Sequence, residues 1–259
     1  MAAIGSVHGL LLDLDGTLYD CGEVLPGAIE AVAALRRGGV PLRFVTNTSR
    51  FSRREVGQYL ESLGIAAGRD ELFTTTVGAT AWLQVRGIER VALCLPEATE
   101  EDFAGFKIDR SKPQAVVVGD LGSDWTFDVM NQAFRWILQG ALLVATHTNR
   151  FWRTVDGPTL DAGPFVAALE YATGAEATVV GKPSREFFQS AADSLGLGLN
   201  AVAMVGDDIV NDVGGIQALG GTGILLRTGK FSQAELTQSH IKPDLLLDSI
   251  ADLPSVILG

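Results

Sequence analysis

Cysteine is nearly absent from this chain: Cys21 and Cys94 are the only two in 259 residues. Two distant cysteines make neither a disulfide framework nor a zinc site, and a reducing compartment fits them best. Positive charge is also short. Lys and Arg total 20 against 31 Asp and Glu, a formal net charge of -11. A general nucleic-acid binder needs a basic face to neutralise phosphates, and an anionic membrane surface would repel this chain. No nucleic-acid or membrane partner is therefore expected. A small phosphorylated compound is not excluded, because the charge at a site can oppose the global sign; the net negative surface also serves solubility. The first residues carry no basic segment, and Asp13 interrupts the first apolar run too early for a signal peptide. No apolar stretch approaches the roughly 20 residues that span a bilayer. Internal repeats and low-complexity tracts are missing too. The expectation is a soluble, cytoplasmic protein.

What is present is enough apolar material for a sizeable core, 47% of the residues. Strand-like and helix-like segments alternate, which predicts an α/β fold with a mainly parallel sheet and crossover helices. Strands are expected over 7–14, 41–46, 91–95, 115–119, 141–146, 201–205 and 223–226, with a last short one over 245–247. Helices are expected over 27–37, from Ser52 to Leu63, and over 79–85, 127–138, 165–171, 186–195 and 212–219. Ile29, Val32, Ala33 and Leu35 give the first helix an apolar face, and Gly38-Gly39 end it. Ser52 and Glu55 form a capping-box pattern. A second set of elements begins near Val77 and the first style resumes after Gly181-Lys182-Pro183. The organisation read from this is a discontinuous domain, residues 1–76 and 181–259, interrupted by an inserted α/β domain, residues 77–180.

The chemistry gathers where apolar strands stop. Leu10-Leu11-Leu12-Asp13-Leu14-Asp15-Gly16-Thr17 ends a greasy run in two carboxylates on one side of the strand. Asp15-Gly16 alone reads as a turn, but a turn leaves Asp13 unexplained. Two like charges so placed repel unless a cation lies between them or one stays protonated. Metal binding, acid–base chemistry and nucleophilic attack all follow from such a pair. Thr46 and Asn47 end the next strand; they are ordinary loop residues or neutral donors to phosphate oxygens. Lys182 precedes Pro183, a favoured first helical residue, and is either solvated or held at a helix entrance to neutralise an anion. Asp207, Asp208 and Asp212 repel one another on a bare surface; Asp212 alone could serve a helix N-terminus. A Mg²⁺ site from Asp13, Asp207 and water is the sharper reading. In open parallel sheets the ligand crevice lies beyond the carboxyl ends of the strands, so these groups converge if their strands are neighbours. In the middle stretch, Asp124 and Asp128 read as an exposed helix start and His147 as structural. Arg150-Phe151-Trp152-Arg153 reads as local packing or as a substrate-reading loop.

In this order, the four clusters resemble the motifs of the haloacid dehalogenase superfamily of phosphotransferases, over the whole chain. Asp13-Leu14-Asp15-Gly16-Thr17-Leu18, Thr46-Asn47, Lys182-Pro183 and Gly206-Asp207-Asp208 with Asp212 correspond to its four motifs. The insertion is similar to the type II α/β cap of subclass IIA, and Gly163-Pro164-Phe165, Val179-Val180-Gly181-Lys182-Pro183 and Arg227-Thr228-Gly229-Lys230 resemble one branch within that group. The resemblance implies a Rossmann-like core, with Asp13 as nucleophile and Asp15 as general acid, then base. It implies Thr46, Asn47 and Lys182 on the phosphate, and Mg²⁺ held by Asp13, the Asp15 carbonyl and Asp207, with Asp208 and Asp212 in support. Phe151, Trp152 and Arg153 fall where relatives place cap residues that touch substrate, and relatives often dimerise through the cap. One departure is that no acid follows Thr148-Asn149 until Asp156. The function expected is a Mg²⁺-dependent phosphatase for a small phosphorylated substrate. The alternatives are a receiver-like phosphoprotein and a phosphate-binding protein without turnover.

Overall fold

The computed structural model describes residues 7–154 and 157–259, without the side chains of Arg153 and Thr154. Chain contacts divide it into two compact units: residues 1–46, 56–73 and 182–259 in the first, 47–55 and 74–181 in the second. In chain order the strands are β1 Gly9–Leu12, β2 Tyr19–Asp20, β3 Glu23–Val24, β4 Leu42–Thr46, β5 Leu72–Thr74, β6 Arg90–Cys94, β7 Lys107–Ile108, β8 Ala115–Val118, β9 Leu142–Ala145, β10 Phe151–Thr154, β11 Gly157–Leu160, β12 Thr178–Val179, β13 Val202–Gly206, β14 Thr222–Leu226 and β15 Leu245–Leu247. The α-helices are α1 Ala28–Arg37, α2 Arg53–Ser62, α3 Thr75–Val85, α4 Phe127–Leu138, α5 Ala162–Thr173, α6 Arg185–Ser194, α7 Gly215–Gln217, α8 Gln233–Gln238 and α9 Leu253–Ile257.

The first sheet runs β15-β14-β13-β1-β4-β5. β1 pairs in parallel with both β13 and β4. All four residues of β1 and all five of β13 are buried, the continuous apolar pattern of strands covered on both faces. Leu10, Leu12, Leu35, Phe44, Leu60 and Val205 share its core. α1 packs through Ala28, Ala31, Val32 and Leu35, an i, i+3, i+4, i+7 stripe. Ile29, expected on that face, is 40% exposed because the stripe starts one residue earlier.

The second unit holds a parallel sheet, β12-β9-β8-β6-β7. Along β8, Val116 and Val118 enter one apolar cluster and Ala115 and Val117 the other, as the two-residue strand period requires. The first cluster includes Trp136 of α4 and Leu169 of α5, the second Trp82 of α3. Two parallel sheets with flanking helices make this the expected α/β fold. Among the described residues no helix is long and apolar enough to cross a membrane.

Three local readings need correction. α6 starts at Arg185, with Ser184 Oγ accepting the Phe187 N–H at 3.3 Å, so Pro183 precedes the helix instead of opening it. The segment expected as one helix over 212–219 begins as a π-helical turn, Ile209–Gly214, before three α residues. α3 begins at Thr75, four residues earlier than its apolar pattern suggests, because Thr74 caps it. The Ser52/Glu55 box is present in both directions, at 3.0 and 3.2 Å.

Candidate active site

Parallel pairing places the carboxyl ends of β1 and β13 side by side, with Leu12 level with Val205. The Asp13 N–H donates to the Val205 carbonyl at 2.9 Å. Asp13 and Asp207, each just past its strand, are therefore neighbours. The π-helical turn that follows adds Asp212. One oxygen from each of Asp13, Asp207 and Asp212 lies within 4.8 Å of the others, and all three residues are buried. Lys182 is buried among them, its Nζ 2.6 Å from Asp13 Oδ1 and 2.7 Å from Asp212 Oδ1.

One ammonium cannot balance three buried carboxylates, and buried charge without a partner is costly. Burial and then the Asp13 charge push the Asp207 carboxyl up to about 7. Burial also raises Asp212, against the pull of Lys182. Burial alone would lower Lys182, but Asp13 and Asp212 outweigh it and hold the ammonium above its ordinary value. Such a cluster retains protons or takes up a cation.

The donor set fits a hard cation. Asp207 Oδ1 is buried with no hydrogen-bond partner among the described residues, while its Oδ2 accepts the Lys230 N–H at 2.6 Å. The Asp212 oxygens are engaged differently, Oδ1 by Lys182 and Oδ2 by the Asp208 N–H at 3.2 Å. Asp212 thus anchors the lysine and the turn. All-oxygen carboxylate sets suit Mg²⁺ or Ca²⁺ better than softer metals, so Asp13, Asp207 and Asp212 form a candidate metal site. Asp208 caps the π-helical turn, its Oδ1 accepting from the Val210 and Asn211 amides at 3.0 and 2.8 Å. Burial raises its pKa, but the Asn211 hydrogen bonds and Lys230 outweigh that and hold it below the ordinary carboxylate range.

Asp15 stands on the turn after β1, exposed, where its backbone bridges to Tyr19 and the Gly16 N–H donates to the Tyr19 carbonyl at 2.7 Å. Gly16 has φ +77°, and a Cβ there would strike the Asp207 carboxylate. Lost hydration, followed by the Asp13 charge, raises the Asp15 pKa. Thr46 is buried at the end of β4, the strand beside β1. Asn47 is half-buried and belongs by its contacts to the second unit.

In the second unit, β10 and β11 form an antiparallel hairpin that the sequence reading did not resolve, since Gly157 and Pro158 look like turn residues. Phe151 and Trp152 are exposed on it, by 53% and 37%; the side chain of Arg153 lies outside the described residues. Asp128 is exposed in the first turn of α4, Asp124 is exposed at the end of a separate 3-10 turn before it and not at the helix start, and His147 is buried 3.5 Å from both Ser49 Oγ and Asp161 Oδ1.

Sequence reasoning gave no role to the loop after β14. There Thr228 Oγ1 donates to the Gly16 carbonyl at 2.5 Å and Lys230 binds Asp207. The available signal was a short polar run with glycine directly after an apolar strand, the same pattern that marked Asp13 and Asp207.

A model of the haloacid dehalogenase-like hydrolase family matches residues 10–109, and a second, HAD-hydrolase-like, matches residues 179–253. The human haloacid dehalogenase-like hydrolase domain-containing protein 2 is 40% identical, over 96% of this chain and 95% of its own. This chain belongs to the haloacid dehalogenase-like hydrolases. Another hydrolase of similar kind, the bovine phospholysine phosphohistidine inorganic pyrophosphate phosphatase, is 38% identical over 98% of this chain and 96% of its own. Among solved structures, the p-nitrophenyl phosphatase of Archaeoglobus fulgidus superposes with a TM-score of 0.90 at 31% identity, covering 96% of this chain and 99% of that one. The branch of the family indicated by the sequence motifs is thus the one found.

Proposed function

We propose that this hydrolase is a Mg²⁺-dependent phosphatase acting on a small phosphorylated compound through an aspartyl-phosphate. The observation that carries the reading is the buried Asp13–Lys182–Asp212 arrangement beside an Asp207 oxygen that has no partner among the described residues. The Asp13 carboxylate attacks phosphorus while the bond from phosphorus to the leaving oxygen breaks. Asp15, whose pKa burial and the Asp13 charge raise, gives its proton to the leaving oxygen as the general acid. Asp15 then takes a proton from water as the water oxygen bonds to phosphorus and the Asp13–phosphorus bond breaks. Phosphate leaves and both aspartates return to their starting states. Lys182 neutralises phosphate charge, and Thr46 and Asn47 donate to its oxygens without adding charge. Asp13, the Asp15 carbonyl and Asp207 would hold the metal, supported by Asp208 and Asp212. The metal would offset repulsion between the attacking carboxylate and the phosphate.

Residues 77–180 act as a cap in this reading, with Phe151, Trp152 and Arg153 choosing the substrate's organic part. The names of the relatives supply a first panel: p-nitrophenyl phosphate, pyrophosphate, phospholysine and phosphohistidine. Light scattering at working concentration reads whether the enzyme is a homodimer.

The test is Asp13→Asn with p-nitrophenyl phosphate. Turnover should fall by about a thousandfold or more with the melting temperature kept. Undiminished turnover would remove Asp13 from the chemistry. A wild-type protein that binds phosphorylated ligands without releasing phosphate would instead be the binding protein of the alternative reading.

A further inference from the structure

We propose that Thr228-Gly229-Lys230 is a backbone clamp that sets the metal affinity of the site by fixing Asp207 against Gly16. These are positioning residues, and the inference rests on the metal-site reading above. The loop follows β14, which pairs in parallel with β13, the strand that carries Asp207. It meets the site at three points. The Thr228 hydroxyl donates to the Gly16 carbonyl at 2.5 Å, one peptide beyond Asp15. Gly229 sits at φ +54°, where a Cβ would lie 2.5 Å from Gly16 Cα and strike Asp207 Oδ2. The Lys230 N–H donates to that same Oδ2 at 2.6 Å.

The consequence lies in how the two Asp207 oxygens are divided. A carboxylate past the end of a strand can rotate about its side-chain torsions. A short hydrogen bond to Oδ2 from a rigid amide stops that rotation and leaves Oδ1 as the free donor among the buried acids. Outer partners of metal-ligating carboxylates commonly act in this way. Because the clamp works through main-chain atoms and one hydroxyl, the ammonium of Lys230 is not part of it. That ammonium is largely exposed, 3.6 Å from Asp208 Oδ2. The loop itself lies at the surface, with Gly229 and Lys230 exposed, so changes there can reach the site without emptying the core.

The experiment is Mg²⁺ titration of the metal-free protein by calorimetry, without substrate, alongside melting temperature. Thr228→Val should bind Mg²⁺ about 10- to 100-fold more weakly at an essentially unchanged melting temperature; Gly229→Ala should weaken Mg²⁺ binding similarly and also lower the melting temperature, because its Cβ meets Gly16 Cα at a positive φ. Thr228→Ser should regain wild-type affinity, because it restores the hydroxyl. Lys230→Met keeps the amide and removes a cation near the site, so it should bind Mg²⁺ as tightly as wild type or more tightly. Wild-type affinity in Thr228→Val and Gly229→Ala would overturn the clamp. So would a loss confined to Lys230→Met, which would assign the effect to the ammonium. If wild type and Asp207→Asn take up Mg²⁺ alike, the metal site itself is wrong, a result separable from failure of the clamp alone.

Discussion

The two units build similar parallel sheets and finish their strands differently. In the first, β1 and β13 end in carboxylates that the protein balances with one lysine, leaving an acidic surplus. In the second, β8 is followed by Asp120 and β9 by His147, each lying beside polar side chains of the same unit. Arg50 Nε lies 3.2 Å from Asp120 Oδ2 and its guanidinium 4.9 Å above the Trp152 ring. Ser49 Oγ accepts the Asp120 N–H at 2.9 Å, and Asp161 caps α5 through the Ala162 N–H at 2.8 Å. A shared architecture thus supports an acidic surplus in one place and, in the other, a strand-end acid paired with an arginine. The fold supplies strand ends; the residues placed there decide whether a cation is wanted.

The contrast can be broken most sharply by neutralising one strand-end acid in each unit. Asp207→Asn should cut Mg²⁺-dependent turnover of p-nitrophenyl phosphate by about 100- to 1000-fold, whereas Asp120→Asn should keep it within about threefold. Comparable losses in steady-state assays would erase the distinction.

Next in size is stability. Lys182→Ala strands Asp13 and Asp212 as buried charges, so urea unfolding at pH 8 without metal should show a loss of about 3–5 kcal/mol. Arg50→Ala removes a partly exposed pair and should cost about 1 kcal/mol or less. A Lys182→Ala protein as stable as wild type would mean that the cluster protonates at no cost.

A pH series sharpens the comparison further. Asp207, pushed up to about 7 without metal, must lose its proton to bind a cation. Calorimetric Mg²⁺ affinity should therefore rise from pH 6 to pH 8 and level off above. A flat profile would show Asp207 already ionised at pH 6.

The smallest effect is expected at the β10–β11 hairpin. Phe151→Ala and Trp152→Ala truncate exposed rings, so stability should change by about 0.5 kcal/mol or less. If the hairpin reads substrate, KM across the phosphate-ester panel shifts while kcat holds. Unchanged KM for every ester would return these aromatics to local packing.

Much of this was legible from periodicity and punctuation. Buried parallel strands are apolar on both faces, so β1, β8 and β13 announce themselves, and the acids that end them stand out against that background. The hairpins did not announce themselves: β2 and β3 have two residues each, and Gly157 and Pro158 imitate a turn. The π-helical turn at Ile209–Gly214 was hidden because i+4 and i+5 hydrogen bonding leave nearly the same apolar spacing over six residues.

The sequence by itself determined the α/β class, the family and which acids stand just past apolar strands, because strand composition and strand-end residues are local properties of the chain. Only the tertiary structure decided that Asp212 engages Lys182, that Asp207 keeps one oxygen unpartnered among the described residues, and that Thr228 and Lys230 reach Gly16 and Asp207. Those facts depend on strand order, which sets residues far apart in the chain within hydrogen-bond distance, and spacing along the chain does not encode it.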